Sequence, residues 1–418
     1  MNTFKLKILS AVSVAVGFLA PAGCSGESDP RAVDHGEDAG EDVSSRTDAD
    51  APPADASVSD VADDRRIAWD SGADRELATV LEMWTGGLVY CARVKRSSST
   101  TVECWGNNIS GELGRGDTSD DGTTFKPFPV LGPDAPYFKK VANNGNWIRG
   151  MVCAVTEGND LKCWGGSYDS VSPIKASVPD EPFLANVRDV DMAAGTACAV
   201  RTNGHVACWG TNMNGELGLG YTDYVVHPVP EEIPTFTAEQ VSCGSASTCA
   251  LEDGEVWCWG MTSVLGNGPA FGWTPTPTRV AGLTDITKVV VGESRAFALA
   301  SDKTLWYWGV LTGMPAYTPT KVLDPTSDDP NRVLSGVEDI KGSCVRLTDG
   351  KVKCLSIKQT GGYEFTEVGR VADAVSLGDS CALDAAGILR CWGNNSSGQL
   401  GLPPTTLSTS AAGRVIEF

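Results

Sequence analysis

Histidine and basic residues are scarce in this chain of 418 residues, which has 3 His and 33 Lys plus Arg against 53 Asp plus Glu. The formal net charge is therefore -20 at pH 7. Binding to a phosphate backbone or to an anionic membrane surface depends on clustered Lys and Arg. The composition therefore argues against nucleic acid as a partner, and against a membrane surface that the protein would bind directly.

Long apolar runs are absent except at the N-terminus, where one run extends from Ile8 to Ala20. It follows Lys5 and Lys7 and precedes the string Pro21-Ala22-Gly23-Cys24. The run is shorter than the roughly 20 residues of a membrane-spanning helix. A basic start, a short apolar run and a small-residue site together predict a secretory signal peptide.

A cysteine directly after Ala-Gly resembles the bacterial lipoprotein signal, in which the cysteine is lipidated after cleavage. The resemblance implies a signal at residues 1–24, lipidation of Cys24, and a lipid-anchored protein of the bacterial cell envelope that faces the periplasm or the exterior. Pro21 stands where that signal usually has Leu. Ordinary cleavage, which would leave Cys24 unmodified or remove it, therefore stays an alternative.

Residues 25–76 carry 16 acidic and 5 basic residues among Ala, Ser and Pro. Such a segment buries too little apolar area to offset chain entropy, and its like charges repel one another. We expect a disordered acidic linker that holds a globular head away from the membrane. A calcium-binding role for this segment is the alternative.

Seven similar segments recur after residue 77 at intervals of roughly 50 residues, which is the signature of a repeat protein. They occupy 91–106, 153–165, 198–210, 249–260, 297–309, 344–356 and 381–393. Short alternating runs flank turn dipeptides such as Asn203-Gly204 and Asp253-Gly254, and this pattern predicts a β-hairpin in each unit.

The cysteine spacing places two cysteines opposite each other in six of these hairpins. Cys198 and Cys208 centre on Asn203, so a three-residue loop ending at Gly204 brings them into register. Opposed residues can lie about 4.5 Å apart at Cα, within reach of a disulfide. We predict the disulfides Cys91–Cys104, Cys153–Cys163, Cys198–Cys208, Cys249–Cys258, Cys344–Cys354 and Cys381–Cys391. Buried free thiols or a metal site are the alternatives, but the spacing is not that of a zinc site.

The fifth unit and Cys243 both bear on this pairing scheme. In the fifth unit Phe297 and Tyr307 occupy both cysteine positions, and an aromatic cross-strand pair is a reasonable replacement. Cys243 has no partner in the scheme. We expect a buried and inert thiol, with exchange against Cys249 or Cys258 as the alternative.

Three units continue past Trp-Gly into glycine-rich strings at 107–116, 211–220 and 394–402. With the Cys-Ala-Leu…Gly…Trp-Gly pattern, these strings resemble the repeat of the regulator of chromosome condensation family over about residues 78–418. The resemblance implies an all-β fold, a seven-bladed β-propeller of four-stranded blades at residues 77–418. We further expect Leu113, Leu217 and Leu400 to be buried in the blades, and the Trp of each Trp-Gly to pack against the next blade. We also expect the terminal residues 414–416 to pair near residues 80–90 and so close the ring.

No catalytic constellation is recognisable, because the repeats contain only His205 and His227 and no nucleophile elbow, zinc-protease motif or phosphate-binding loop. We expect His205 to be a solvated strand residue, and we expect no enzyme activity, no metal and no cofactor. The family resemblance implies guanine-nucleotide exchange as one possible activity. It also extends to secreted bacterial propellers that inhibit β-lactamases through aromatic-rich loops.

Aromatic residues between the predicted strands are the candidate binding residues. They are Trp147, Tyr168, Tyr221, Tyr224, Phe271, Trp273 and Tyr317. Rigid aromatic side chains on loops are effective interface anchors, although each of these residues could instead pack within a blade. We expect a monomeric, membrane-tethered propeller that recognises a protein or a glycan. An exported hydrolase or lyase with carboxylates at the propeller mouth is the first alternative, and nucleotide exchange is the second.

Overall fold

The computed structural model of this protein describes residues 78–118, 123–132, 137–144, 150–167, 175–193, 195–268, 272–311, 314–324, 327–329, 331–357, 363–401 and 408–415. The described residues all belong to one compact unit. The expected signal, Cys24 and the acidic linker lie outside the described residues, and so do Trp147, Tyr168 and Phe271.

The described residues form short β-strands throughout. In chain order they are β1 Thr79–Gly86, β2 Val89–Lys95, β3 Thr100–Asn107, β4 Thr123–Pro129, β5 Phe138–Asn143, β6 Met151–Thr156, β7 Leu161–Gly165, β8 Val187–Met192, β9 Thr196–Arg201, β10 His205–Gly210, β11 His227–Thr237, β12 Gln240–Cys243, β13 Ser247–Glu252, β14 Glu255–Met261, β15 Trp273–Arg279, β16 Ile286–Val291, β17 Arg295–Ala300, β18 Leu305–Leu311, β19 Met314–Lys321, β20 Val337–Lys341, β21 Cys344–Leu347, β22 Val352–Ile357, β23 Tyr363–Glu367, β24 Ala374–Leu377, β25 Cys381–Asp384, β26 Leu389–Asn394 and β27 Ser408–Val415. One 3-10 turn, Thr262–Val264, follows β14. No helix in the described part of the chain is long and apolar enough to span a membrane.

These strands make seven antiparallel sheets, which are the blades of a seven-bladed β-propeller. Blades 1 and 3 to 7 each contain four named strands in sequence order. Blade 2 contains β5, β6 and β7, and isolated bridges from Gly165 to Lys175 and from Leu161 to Leu184 lie where the other blades have their fourth strand. The architecture expected from the repeats is therefore confirmed.

The first strand of each blade lies next to the axis of the ring, where β1, β5, β8, β12, β16, β20 and β24 are neighbours. Antiparallel pairing makes the first and third strands of a blade run in the same direction. The ends of the innermost strands and the connections after the third strands therefore share one end of the ring. We call this end the loop face, and it is defined by the ends of the innermost strands at Gly86, Asn143, Met192, Cys243, Val291, Lys341 and Leu377.

Six hairpins carry the disulfides that the spacing predicts. The pairs are Cys91–Cys104, Cys153–Cys163, Cys198–Cys208, Cys249–Cys258, Cys344–Cys354 and Cys381–Cys391, with Cα atoms 4.0 to 4.1 Å apart. The turns have the expected lengths. Gly204 closes a three-residue loop with a φ of +92°, and Asp253-Gly254 forms a two-residue turn with both φ values positive. In blade 5, Phe297 and Tyr307 are directly paired at the corresponding position.

The Trp of each Trp-Gly packs against a neighbouring blade, but against the preceding blade and not the next one. Trp164 of blade 2 lies with Cys91, Cys104 and Leu113 of blade 1. Trp259 of blade 4 lies in the same way with Leu217 of blade 3. Strand alternation told us only that tryptophan and cysteine point to opposite faces of a sheet. The direction in which the chain travels around the ring decides which neighbour each face meets.

The ring closes without the strand exchange that the sequence led us to expect. The C-terminal strand β27 pairs with β26 of its own blade, where Val415 is opposite Arg390. Blade 7 instead contacts blade 1 through side chains, in a cluster that joins Val80 and Trp105 to Leu383 and Leu400. All four strands of blade 1 come from consecutive chain, so its edge has no vacant position for a terminal strand.

Candidate functional site

The glycine-rich strings form tight turns on the loop face. In blade 3 the side-chain oxygen of Asn212 accepts a hydrogen bond from the main-chain N–H of Leu217 at 3.3 Å, and Glu216 accepts one from the N–H of Asn214 at 2.7 Å. Leu217 is fully buried. Asn108 with Leu113 in blade 1 and Asn395 with Leu400 in blade 7 repeat the first bond at 3.0 and 2.9 Å. Each string is therefore a self-bonded turn fixed by a buried leucine.

These turns also hold the blades to one another. The indole N–H of Trp164 donates to the main-chain carbonyl of Glu112 at 2.8 Å, and that of Trp259 donates to the carbonyl of Glu216 at 2.8 Å. Burial raises the pKa of the Glu112 carboxyl, while main-chain and Asn107 hydrogen bonds oppose that shift. Glu112 thus belongs to the turn, and its burial has a structural purpose.

Three of the seven candidate aromatic residues are exposed on the loop face, on neighbouring segments of blades 3 and 4. Tyr221, Tyr224 and Trp273 are 45, 87 and 56 % exposed. The N–H of Gly220 donates to the carbonyl of Pro275 at 2.8 Å, which joins the loop of blade 3 to the outer strand of blade 4. Tyr221 is bonded in turn through its carbonyl to the Asn212 amide at 3.0 Å.

Further exposed apolar side chains, which were not among the candidates from the sequence, lie on the same segments of blades 3 and 4. The full set, which we call the aromatic patch, is Met213, Tyr221, Tyr224, Val225, Met261 and Trp273. Met261 is the cross-strand partner of Trp273, and Met213 lies in the same turn as Asn212. Met213 occupies the variable third position of its glycine-rich string, and Ile109 is exposed at the same position in blade 1. An apolar residue at this position was therefore an available sequence signal for an exposed side chain. Tyr317 lies within β19 and is half-buried, away from this set.

His227 anchors the loop that carries the aromatic patch. Its Nδ1 lies 2.6 Å from Glu231 and its Nε2 lies 3.3 Å from Asp223, and the ring of Tyr221 packs beside it. Burial lowers the pKa of this imidazole, but the hydrogen bonds and charges of Glu231 and Asp223 outweigh burial and raise it. This cluster was not predicted from the sequence, because Asp223 and Glu231 lie four residues before and after His227 in a segment without a helical pattern.

His205 and Cys243, two further residues considered in the sequence, both lie close to other residues of the blades. His205 lies at the start of β10 with its side chain 43 % exposed, 3.6 Å from Glu232. Cys243 is buried at the end of β12, and burial with the nearby Asp191 carboxylate raises the pKa of its thiol. Across the described part of the chain, no group of three or more His, Cys, Asp or Glu residues is arranged to hold a metal ion.

The fold and the loop face define a class: a repeat propeller that presents exposed apolar side chains on a rigid ring. Comparison with known proteins shows that the chain contains the repeat of the regulator of chromosome condensation (RCC1) family, because the sequence model of that repeat matches residues 203–251. The seven repeats and the propeller described above are similar to that family and support the match.

Two curated relatives illustrate the range of the family. The ultraviolet-B receptor UVR8 of Arabidopsis thaliana is 30 % identical over 191 residues, which is 41 % of this chain and 40 % of the receptor. The guanine nucleotide exchange factor SRM1 of Saccharomyces cerevisiae is 31 % identical over 251 residues, which is 56 % of this chain and 46 % of the factor. The matched segment thus spans less than half of either relative.

A solved structure supports the fold. Yeast RCC1 (Prp20), in its complex with Kap60, superposes with a TM-score of 0.62 at 20 % identity, covering 76 % of this chain and 84 % of that one. At this level of identity the similarity concerns the fold alone.

Proposed function

We propose that this protein is a non-enzymatic recognition module that binds a partner protein through the aromatic patch. The observation that carries the proposal is the exposure of Tyr221, Tyr224 and Trp273 on segments of two blades that the Gly220–Pro275 hydrogen bond joins at 2.8 Å. Two blades thereby present these side chains in a fixed arrangement.

Aromatic side chains are suited to this purpose because they bury a large area at a low cost in conformational entropy. Tyrosine and tryptophan also dominate the energetics of many protein interfaces. A scattered exposed aromatic needs no explanation, but a contiguous apolar patch on a soluble surface favours an interaction site. The presence of Met213 and Met261 beside the aromatics extends the patch with adaptable side chains.

The proposal places the propeller outside the cytosol. Six disulfides indicate an oxidising compartment, since cytosolic thiols are kept reduced. Lipidation at Cys24 and an acidic linker over residues 25–76 would then tether the head to the cell envelope. UVR8 is a receptor and SRM1 a nucleotide exchange factor, so proteins built on this repeat serve recognition in more than one way.

Site-specific photo-crosslinking in the native host tests the proposal. A photoreactive phenylalanine analogue replaces Tyr224 in one variant and Tyr137 in the other. Tyr137 is 60 % exposed and directly precedes β5, on the opposite end of the ring, so it is a matched control. We expect one defined protein adduct from position 224, none from position 137, and loss of the adduct when Trp273→Ala is added.

Each other outcome would argue against the proposal. Equal adducts from both positions, or none from position 224, would remove the aromatic patch as the binding surface. A carbohydrate adduct would identify a glycan as the ligand. Turnover of polysaccharide or peptide substrates would support the hydrolase alternative, and accelerated release of labelled nucleotide from a small GTPase would support exchange.

A further inference from the structure

A cavity of about 420 Å³ lies on the axis of the propeller, between the innermost strands. Its lining reaches the ends of these strands at Gly87, Asn144 and Gly342, so it belongs to the loop-face half of the axis. Cavities that bind small molecules usually measure about 300 to 1,000 Å³. The volume is therefore sufficient for a small organic ligand.

One layer of charged side chains around this axis is internally paired. Lys140 is bonded to Asp189 at 2.5 Å, and Lys288 is bonded to Asp339 at 2.6 Å. The second carboxylate oxygen of Asp189 also accepts the N–H of Val241 at 3.0 Å. These four side chains brace neighbouring blades and leave no charge for a ligand.

The next layer of charged side chains, nearer the loop face, contains Asp191, Lys341 and Asp379. It differs from the first layer because these side chains form no ion pairs with one another. Asp191 is held by the Ser242 hydroxyl at 3.0 Å and by the N–H of Cys243 at 2.9 Å. The side chains of Lys341 and Asp379 line the same cavity. Neither makes a hydrogen bond or an ion pair within 4.0 Å to any residue that the structure describes.

The charges of Lys341 and Asp379 nevertheless influence each other across the cavity. The Asp379 carboxylate raises the pKa of the Lys341 ammonium, although burial opposes this effect. Burial raises the pKa of the Asp379 carboxyl, and the Lys341 charge opposes that shift. Removing charged groups from bulk water is costly unless partners replace the lost hydration. A ligand that supplies a carboxylate and an ammonium would provide both partners.

We propose that the axial cavity binds a small zwitterion of the α-amino acid class, with its carboxylate at Lys341 and its ammonium at Asp379 and Asp191. The layer holds two acidic groups and one basic group, which disfavours phosphate and other anions. The Lys341 ammonium disfavours a metal cation. Met192, Val241 and Val290 also line the cavity and favour a small apolar side chain on the ligand.

Isothermal titration calorimetry on the purified full-length protein tests the inference with valine and two analogues. Valinamide lacks the carboxylate, and 3-methylbutanoate lacks the ammonium. We expect valine to bind at least about tenfold more tightly than either analogue, because each analogue leaves one partly buried charge without a partner. Glycine, alanine and leucine serve to rank the size of the side chain.

Two variants assign the charges to their partners. Lys341→Met should weaken valine binding and abolish the preference for valine over valinamide. Asp379→Asn should reduce the preference for valine over 3-methylbutanoate, because Asp191 remains as one partner of the ammonium. Lys139→Met is the matched control, because Lys139 lies exposed on the same strand as Lys140 and bonds Asn159 at 3.0 Å. The control should bind as the wild type does, and the melting temperature of each variant reports its folding.

The wild-type protein alone can overturn the inference, even where a variant fails to fold. Absence of binding for all four amino acids at about 10 mM would do so, as would equal binding of valine and both analogues. A folded Lys341→Met variant that retains the wild-type preference would move the ligand away from this cavity. The photo-crosslinking outcome at the aromatic patch is independent of all these results.

Discussion

The indole N–H of Trp105 donates a hydrogen bond to the main-chain carbonyl of Gln399 at 2.8 Å, across 294 positions of the chain. This bond joins blade 1 to blade 7. It is of the same kind as the bonds of Trp164 to Glu112 and of Trp259 to Glu216 between consecutive blades. The ring is therefore closed by the same contact that joins blade 2 to blade 1 and blade 4 to blade 3, with no exchanged strand.

The closing bond should be measurable as stability. Trp105→Phe removes the donor and leaves the buried carbonyl of Gln399 without it, at a cost of about 1 to 3 kcal/mol beyond the loss of ring area. Trp209→Phe is the control, because the buried Trp209 indole N–H has no hydrogen-bond acceptor among the described residues. Urea unfolding should give a clearly smaller loss for Trp209→Phe. Equal losses would contradict this account of ring closure.

The glycine of Trp-Gly should tolerate no side chain. At Gly210 the φ is +113° and an added Cβ would lie 2.3 Å from the carbonyl oxygen of Gly195. Gly210→Ala should therefore cost more than about 2 kcal/mol, from backbone strain and collision together. Gly282 has a φ of +82° with no neighbour within 4 Å, so Gly282→Ala isolates the backbone strain at about 1 kcal/mol. Thermal unfolding of both variants checks the difference, which should be absent if the collision is relieved by movement.

Blade 5 should accept the disulfide that the other regular hairpins contain. Phe297 and Tyr307 are opposed in the register of Cys198 and Cys208. The double variant Phe297→Cys/Tyr307→Cys should therefore form a seventh bridge in the oxidised protein, detected by peptide mass mapping without reductant. The single variant Phe297→Cys is the control and should retain a free thiol at position 297, in addition to that of Cys243. Free thiols at both positions 297 and 307 of the double variant would show that the register does not suffice.

The His227 cluster predicts a pH dependence of stability. Asp223 and Glu231 raise the pKa of the folded-state imidazole above its ordinary value, so the folded state binds the proton more tightly than the unfolded state does. The resulting stability is fully present below the unfolded-state pKa and is lost as pH rises through the raised folded-state pKa. Melting temperatures across this range should show the loss in the wild type and in His205→Gln. His227→Gln should remove it, and an unchanged profile in that variant would contradict the assignment.

The sequence was informative wherever the signal is local. The spacing of Cys198 and Cys208 around Asn203 predicts the length of the hairpin loop, because each loop length brings only one set of residues into register. Phe297 and Tyr307, which replace both cysteines in the fifth unit, indicated the same register. The exposure of Tyr224 and Trp273 was a fair expectation from their place between strands, but the hydrogen bond that joins their two segments is a contact between two blades.

The residues around the axis could not be grouped from the sequence. Lys341, Asp379 and Asp191 belong to three blades, and each looks like an ordinary strand-end charge when it is considered alone. Their meeting follows from the radial arrangement of the blades. The same holds for Trp105 and Gln399, whose distance along the chain is almost the whole length of the repeats.

The amino-acid sequence by itself determined the number of units, the hairpins, the cysteine pairs and the family of the fold, since each depends on spacing within about 50 residues. The tertiary structure alone decided which neighbour each tryptophan meets, how the first and last blades join, and which charges share the axial cavity. These relations depend on the direction in which the chain turns around the ring and on the angle between blades. Both are set by the packing of whole sheets, which no short segment encodes.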